Sequence, residues 1–323
     1  MGSENPPPSR IVITDPTELL GIVPYLLGFH PHDSVVLLAM NGERIEFSLR
    51  VDLDHPIADT LASVAEVTDF VEIDSMVVIG YGPDTARPSI EALIAVLTGY
   101  GLRITQALLV GDGRFRCLLC SDCLPPDGQP VDVSATAAAA QATVHGIVAL
   151  PSRADVERLA APVTGDEAEA MLNALGAALD WVLQRPGEAA ERDVIDTALA
   201  RAEGGRALAD EQVARLSLLL QFLRWRDYVW LRTDDQPWQL DLWLDVTRRC
   251  KPDLAAAPAS LAAWCAYRRG DGILARTSLR RALHTHPGYT MAELVATAVD
   301  SFLPPSHFDP WPPADHDGTP AFE

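Results

Sequence analysis

The fold of the first part of the chain is decided by residues 34–51, which read SVVLLAMNGERIEFSLRV. Residues 34–40 form an apolar run, and within residues 43–51 the apolar Ile45, Phe47, Leu49 and Val51 alternate with the polar Glu46, Ser48 and Arg50. Asn41 and Gly42, which lie between them, are a typical two-residue hairpin turn. The stretch therefore predicts two antiparallel strands with one buried face.

The helix before this hairpin carries its own start and stop signals. Asp15 is a typical N-cap, Pro16 suits the first helical position, and Glu18 completes a capping box. Pro24 lies inside the helix and predicts a kink or an early end. Gly28 suits the left-handed conformation that ends many helices.

Strands and helices alternate on both sides of the hairpin. A strand, a helix and a strand at this spacing favour a parallel crossover, so we expect a mixed sheet with flanking helices and an α/β class. The expected elements are strands at 10–14, 76–79, 104–110 and 115–120, and helices at 16–27, 58–68 and around Ile90 to Leu97.

The pattern changes to helical periodicity beyond Pro130. Helices are expected at 135–145, 155–161 and 166–183. One further helix is predicted by an apolar stripe at Val213, Leu216, Leu220 and Leu223. Five tryptophans of this region are expected to pack in the core: Trp225, Trp230, Trp238, Trp243 and Trp264. The predicted organisation is a disordered start (1–9), an α/β domain (10–132), a helical domain (133–303) and an irregular proline-rich tail (304–323).

Charge and composition exclude several classes of partner. The chain has 45 acidic and 25 basic side chains, a formal net charge of −20, which repels nucleic acid and anionic lipid over most of the surface. We expect the arginines at positions 224, 226, 248, 249, 268, 269, 280 and 281 to pair with nearby carboxylates, a local basic face being the alternative. The start is polar and no apolar run reaches about 18 residues, so a cytoplasmic protein without a membrane partner is expected. The odd number of five cysteines fits a reducing compartment.

Three of the cysteines are close in sequence. Cys117, Cys120 and Cys123 have the CxxCxxC spacing of thiolate metal sites, but closed zinc coordination needs a fourth ligand and none lies nearby. A strand that runs to Cys120 points Cys117 and Cys120 to opposite faces. We therefore predict no metal and no cofactor, with these three cysteines as the candidates if a metal is bound.

Five polar residues are candidates for binding a small ligand: His30, Asp84, Asp112, Arg114 and Arg153. His30 lies at the entrance to a strand, and Asp84 ends a loop between a buried strand and a helix, where open α/β sheets place ligands. Each also has an ordinary structural interpretation as a cap or a turn residue. No complete dinucleotide-binding or phosphate-loop motif occurs, and no GxSxG, HExxH or EF-hand motif is present.

Residues 261–294 read as a helical hairpin around Gly270 and Asp271, followed by a break at Pro287 and a third helix near Thr290. The second helix resembles that of a tetratricopeptide repeat, whereas in the first helix Tyr267 stands one residue too close to Gly270. The matching positions of the second helix are Ala275, Leu279, Ala282 and Pro287. One such hairpin is too short for a free-standing solenoid, so we expect it to dock on the rest of the protein.

Several short motifs are spread along the chain from about Pro16 to Pro305: Leu27 to Pro31, Gly80 to Gly82, Asp112 to Arg114, Cys120, Cys123, Gly128, Pro151 to Arg153, Arg226, Asp227, Gly270 to Gly272 and Pro287 to Tyr289. In these motifs the whole chain resembles an actinobacterial family known as domain of unknown function 4192. This resemblance implies an α/β part joined to a helical tail, and it implies no particular activity.

Two functions are compatible with these features. The first is a non-enzymatic regulatory or scaffold protein that binds a protein partner, or a second copy of itself, through its helical part. The second is a small-ligand-binding protein or enzyme with a site between the sheet loops and the helical part. Convergence of His30, Asp112, Arg114 and Arg153 on one concave pocket would favour the second function.

Overall fold

The structure is a computed structural model that describes residues 11, 13–68, 71–301 and 303–312. The expectations for residues 1–9, and for the tail beyond residue 312, lie outside these ranges. The chain divides into two compact units, one up to Asp155 and one from Val156. Residues 133–155, which the sequence analysis assigns to the helical part, fall in the first unit.

The first unit contains a six-stranded mixed sheet in the order β2-β1-β3-β4-β5-β6. β3 and β4 are parallel and α3 joins them, which confirms the predicted crossover, while the other neighbouring pairs are antiparallel. The strands are β1 (Ser34–Asn41), β2 (Arg44–Asp52), β3 (Ser75–Tyr81), β4 (Ile104–Gly111), β5 (Arg114–Cys117) and β6 (Gln129–Pro130). The helices are α1 (Pro16–Leu27), α2 (Ile57–Thr68), α3 (Arg87–Gly99), α4 (Ala137–Val144) and α5 (Arg153–Arg158), whose last residues belong to the second unit.

The β1–β2 hairpin is confirmed, but its turn lies one residue later than predicted. Asn41 pairs with Arg44, so the turn residues are Gly42 and Glu43. The reason is an irregularity in the pairing that leaves Glu46 without a partner residue and shifts the register of the strand end. Gly42 has a φ of 59°, a conformation that glycine adopts without strain.

The main described core of this unit lies between the sheet and the helices α2 and α3. Val35, Leu37, Val78 and Leu109 point to this face from their strands and pack with Ile90 of α3. The apolar side chains of β2 pack at its margin, as the alternation predicts. The strand predicted at residues 10–14 is absent from its described residues Ile11, Ile13 and Thr14, while residues 10 and 12 lie outside the description.

Helix α1 runs from Pro16 to Leu27 as its start and stop signals predict, Pro24 does not end it early, and one of its capping residues has a different role than predicted. Asp15 Oδ1 accepts hydrogen bonds from the amides of Thr17 (2.7 Å) and Glu18 (3.1 Å), and Gly28 has a φ of 73°. The capping-box prediction for Glu18 was wrong, because its carboxylate accepts from the first amides of α4, at 3.1 and 2.6 Å. Glu18 therefore satisfies the N-terminus of α4, a helix that packs against α1.

The second unit is helical throughout its regular elements. Its helices are α6 (Asp166–Leu183), α7 (Glu188–Glu203), α8 (Asp210–Leu219), α9 (Leu223–Trp230), α10 (Pro237–Arg249), α11 (Ala256–Arg268), α12 (Gly272–Thr285) and α13 (Thr290–Asp300), with short 3-10 turns at Pro252–Leu254 and Pro305–Phe308. The prediction that Leu223 continues the apolar stripe of Val213, Leu216 and Leu220 was wrong. Helix α8 ends at Leu219, and Leu223 is the first residue of α9, with an exposed side chain.

Helix α11 is the centre of this unit. Its residues from Ala256 to Tyr267 are all buried, and it contacts α10, α12 and α13. Gly270, with a φ of 78°, and Asp271, which accepts a hydrogen bond from the Leu274 amide at 2.9 Å, make the short connection to α12. The helical hairpin is thus present, and its assignment to the tetratricopeptide pattern stays a prediction.

The tryptophan positions agree in part with the expectation of core packing. Trp225, Trp243 and Trp264 are buried, and Trp230 and Trp238 are half-buried. Within the described residues, no helix combines the length and the apolar character that a membrane span requires.

Candidate functional site

Three of the five predicted ligand-binding residues lie at the sheet edge where β3 and β4 end. Asp84 follows β3 and accepts a hydrogen bond from Arg116 Nη1 at 2.8 Å. Arg114, at the start of β5, donates from Nη1 to the Gly128 carbonyl oxygen at 2.8 Å. Asp112 lies in the β4–β5 turn with a φ of 51°. The contacts of Asp84 and Arg114 therefore fix the local loops.

The loops after β3 and β4 also approach each other closely. The Gly82 amide donates to the Val110 carbonyl oxygen at 2.9 Å. A Cβ atom added at Gly111 would lie 2.5 Å from the Gly82 carbonyl oxygen, so only glycine fits there. The two loops therefore contact each other through their backbones at the end of β3 and β4, the position where an open α/β sheet often holds a ligand.

Of the other two predicted residues, Arg153 lies at the same end of the sheet, near Asp52, which pairs with Ser34, and His30 lies beside Leu150. The His30 amide donates to the Leu150 carbonyl oxygen at 2.9 Å, and burial, with a smaller contribution from the charge of His32, lowers the pKa of the His30 imidazole. Arg153 Nη1 lies 3.9 Å from Asp52 Oδ2. A common ligand for the five residues stays a prediction.

Two hydroxyl groups at the same sheet edge were missed by the sequence analysis. Ser34 and Tyr81 pair across β1 and β3, and their Oγ and Oη atoms are buried without a hydrogen-bond partner among the described residues. Burial raises the pKa of Tyr81 above its ordinary value. In the sequence, Ser34 and Tyr81 are recognisable merely as polar residues at the ends of apolar strands.

An open groove of about 500 Å³ lies within the second unit. We call it the α12 groove. It is lined by Glu157, Ala160, Ala161, Thr277, Arg280, Arg281 and His284. The contacts of the segment opposite α12 include those from the Val163 amide to the Arg248 carbonyl oxygen (2.9 Å) and from Arg280 Nη2 to Glu157 Oε1 (2.8 Å).

Helical spacing explains why one side of this groove is basic. Thr277, Arg280, Arg281 and His284 recur three or four residues apart and so share one face of α12. The apolar residues of α12, including Leu279, are buried on its other side. The helix thus presents two guanidinium groups and an imidazole to the groove.

The two neighbouring arginines of the groove differ in their partners. Arg280 is exposed and pairs with Glu157. The Nε and Nη2 atoms of Arg281 are buried and have no hydrogen-bond partner among the described residues. Burial raises the pKa of the neighbouring Cys250 to about 12, an effect that the positive charge of Arg281 opposes. An unpaired buried guanidinium is costly, and an anionic ligand would offset that cost.

The expectation that arginines pair with carboxylates is confirmed for five of the eight arginines of the second unit that it named. The pairs are Arg224 with Glu191, Arg226 with Asp227, Arg249 with Asp210 and Asp245, Arg268 with Asp234 and Asp309, and Arg280 with Glu157. Arg269 donates instead to the Asp235 carbonyl oxygen at 2.7 Å, and Arg248 and Arg281 have no carboxylate partner among the described residues. The sequence signal of Arg281 was weak, because it is one of eight arginines with the same interpretation.

The three neighbouring cysteines are closer in space than predicted. β5 ends at Cys117, so the prediction of a strand to Cys120 was wrong, and the alternation that would separate the side chains does not apply. A disulfide joins Cys120 and Cys123, and the sulfur atoms of all three cysteines lie within 4.8 Å of one another.

These features define a two-unit class of protein, in which an α/β unit with a mixed six-stranded sheet precedes an all-helical unit. The chain belongs to the family described as "Domain of unknown function (DUF4192)", whose model matches residues 16–306. No curated protein and no solved structure matches the chain. Its function must therefore be argued from its own residues.

Proposed function

We propose that this protein is a non-enzymatic binding protein whose helical unit binds a protein partner through an acidic side chain placed in the α12 groove. The observation that carries this proposal is the half-buried side chain of Arg281, whose two donor nitrogens Nε and Nη2 have no partner among the described residues. A carboxylate of Asp or Glu accepts two such donors in parallel, which is the strongest arrangement for this pair of groups.

The shape of the groove favours a segment of a protein over a small substrate. Small-molecule sites usually bury most of their ligand, whereas the α12 groove is open to solvent. Ala160 and Ala161 give it an apolar side on which the stem of a Glu or Asp side chain can pack. An extended peptide can therefore cross the groove while one of its carboxylates reaches Arg281.

The charge of the chain limits the length of the acidic segment. A net charge of −20 repels a long polyanion at distances up to the Debye length, about 8 Å at physiological salt. Arg280 is already paired with Glu157, so the groove offers one unpaired guanidinium and His284. We therefore propose a partner segment with one or two carboxylates within an otherwise neutral or basic stretch.

The groove also offers little for catalysis. Its carboxylate, that of Glu157, pairs with Arg280, and its hydroxyl belongs to the buried Thr277. The catalytic motifs sought in the sequence are absent. A small-ligand or enzymatic role for His30, Asp84, Asp112, Arg114 and Arg153 is the second candidate, and it predicts a small molecule that copurifies with the protein.

The proposal is tested by selecting binders for the full-length protein from a random peptide library and measuring their affinity by fluorescence anisotropy. The peptides are expected to share an Asp or Glu and to bind Arg281→Gln about ten-fold or more weakly, since a hydrogen bond to a charged group contributes about 1.5–3 kcal/mol. Arg276→Gln is the matched control, because Arg276 also lies on α12 but pairs with Asp300 outside the groove.

Two results would contradict the proposal. One is a set of peptides that bind well without any carboxylate. The other is equal affinity for the wild type and Arg281→Gln when circular dichroism shows both to be folded.

A further inference from the structure

The loop 118–128 joins β5 to β6 without any regular structure of its own. Most of its residues are exposed, including Cys120 and Cys123, while Cys117 is half-buried at the end of β5. Burial of apolar side chains therefore contributes little to holding this loop in place. The bonds that its cysteines form are the strongest restraint available to it.

The positions of the sulfur atoms suit a common metal ion. The three Sγ atoms lie within 4.8 Å of one another, and those of Cys117 and Cys120 are 3.4 Å apart. A zinc ion binds thiolate sulfur at about 2.3 Å, which at tetrahedral angles places two such sulfurs about 3.8 Å apart. Small adjustments of an exposed loop convert one arrangement into the other.

The metal-binding form differs from the disulfide form by two electrons. A dithiol reductant breaks the Cys120–Cys123 bond, and each sulfur gains one electron and one proton while the reductant becomes a disulfide. Binding of a divalent ion then displaces the thiol protons of the three cysteines to the solvent and leaves three thiolate ligands. Because Cys120 and Cys123 are exposed, both the reductant and the ion can reach them.

We propose that reduced Cys117, Cys120 and Cys123 bind one thiophilic divalent ion, with zinc as the best-fitting ion and a fourth coordination position that is left to water or to an outside ligand. Soft thiolate ligands select such ions over magnesium and calcium. Cys250 and Cys265 differ from this cluster, because both are buried single cysteines within the helical unit.

The test uses the full-length protein, reduced with a phosphine that is then removed without oxygen, and titrated with Co²⁺ as a spectroscopic probe. The expected result is one Co²⁺ per chain, with a sulfur-to-cobalt charge-transfer band that Zn²⁺ abolishes. Cys117→Ser, Cys120→Ser and Cys123→Ser should each weaken Co²⁺ binding at least about ten-fold, because each removes a ligand. Cys265→Ala is the matched control and should bind Co²⁺ as the wild type does.

Alkylation followed by mass spectrometry gives an independent readout. Zn²⁺ should slow the modification of the three cysteines, and a chelator should restore it. Absence of the charge-transfer band in the reduced wild type, or its persistence in Cys117→Ser, would overturn the proposal. Arg281→Gln should retain the band, so this site and the α12 groove are tested separately.

Discussion

The sheet edge of the first unit and the α12 groove of the second both carry arginines, but they differ in how the charges are paired. At the sheet edge, Arg116 pairs with Asp84 and Arg50 pairs with Asp52, and the buried atoms without a partner among the described residues lie on three separate side chains, as Arg50 Nε, Ser34 Oγ and Tyr81 Oη. In the groove, Arg281 has two buried donors without a partner among the described residues. The two regions therefore differ in geometry: both unpaired nitrogen atoms of the groove belong to one guanidinium group, which matches a carboxylate, whereas those of the sheet edge are single groups on different side chains.

The largest expected effect is a charge reversal in the groove. Arg281→Glu places a carboxylate where we propose that the partner's carboxylate binds, so a selected acidic peptide should bind about 100-fold more weakly, or about 2.8 kcal/mol. Fluorescence anisotropy with the wild type and Arg276→Glu as references measures the change. If Arg281→Glu binds the peptide within about three-fold of the wild-type affinity, the groove is not the binding site and does not differ from the sheet edge in function.

A smaller effect is expected from filling the groove without changing its charge. Ala161→Leu adds apolar volume to the wall opposite α12. It should weaken peptide binding about ten-fold, because the partner segment loses its space, while the melting temperature changes little. Ala→Leu at an exposed position outside the groove, such as Ala154, is the control. If Ala161→Leu binds as the wild type does, the bound segment lies elsewhere.

The cap of α12 should have an effect on stability that depends on pH. Asp271→Ala removes the acceptor for the Leu274 amide and should cost about 1 kcal/mol of unfolding free energy. Burial raises the pKa of the Asp271 carboxyl, so the folded protein holds this proton to higher pH than the unfolded chain does. Stability from this group is therefore present at low pH and falls as pH rises through that interval.

Asp271→Asn keeps an acceptor that cannot ionise, so it should lack this decline. Denaturant unfolding between acidic and neutral pH compares the two proteins. The stability of Asp271→Asn relative to the wild type should rise with pH. A relative stability that falls over the same interval would show that the charged carboxylate is favoured in the fold.

The smallest effect is expected at the sheet edge. Arg116→Gln breaks the pair with Asp84, whose carboxylate is exposed, and should change stability by less than about 1 kcal/mol. Peptide binding should be unchanged. A loss of binding as large as that of Arg281→Gln would place the edge, rather than the groove, at the centre of function.

Local signals were sufficient for much of the fold. The hairpin, the ends of α1 and the parallel crossover depend on residues close in sequence, and all three were predicted. The hairpin turn lies one residue later than predicted, at Gly42 and Glu43. The pairing irregularity at Glu46 could not be predicted, because the pattern of apolar and polar residues in β2 does not indicate it. The role of Glu18 was missed because its partners lie more than a hundred residues away.

The candidate sites were harder to predict for the same reason. That Nε and Nη2 of Arg281 are buried without a partner among the described residues is a property of the folded helical unit. The closeness of Cys117 and Cys120 depends on where β5 ends, and strand ends are weakly specified by sequence. Composition and periodicity predict neither which side chains pair in the folded protein nor at which residue a strand ends.

The most direct test of the central claim is to replace Arg281 with Met, an apolar side chain of similar length, and to measure stability and peptide binding on the same preparation. If the guanidinium is unpaired and kept for binding, Arg281→Met should melt at the same or a higher temperature than the wild type while acidic-peptide binding is lost. A clear drop in melting temperature with peptide binding retained would contradict the account.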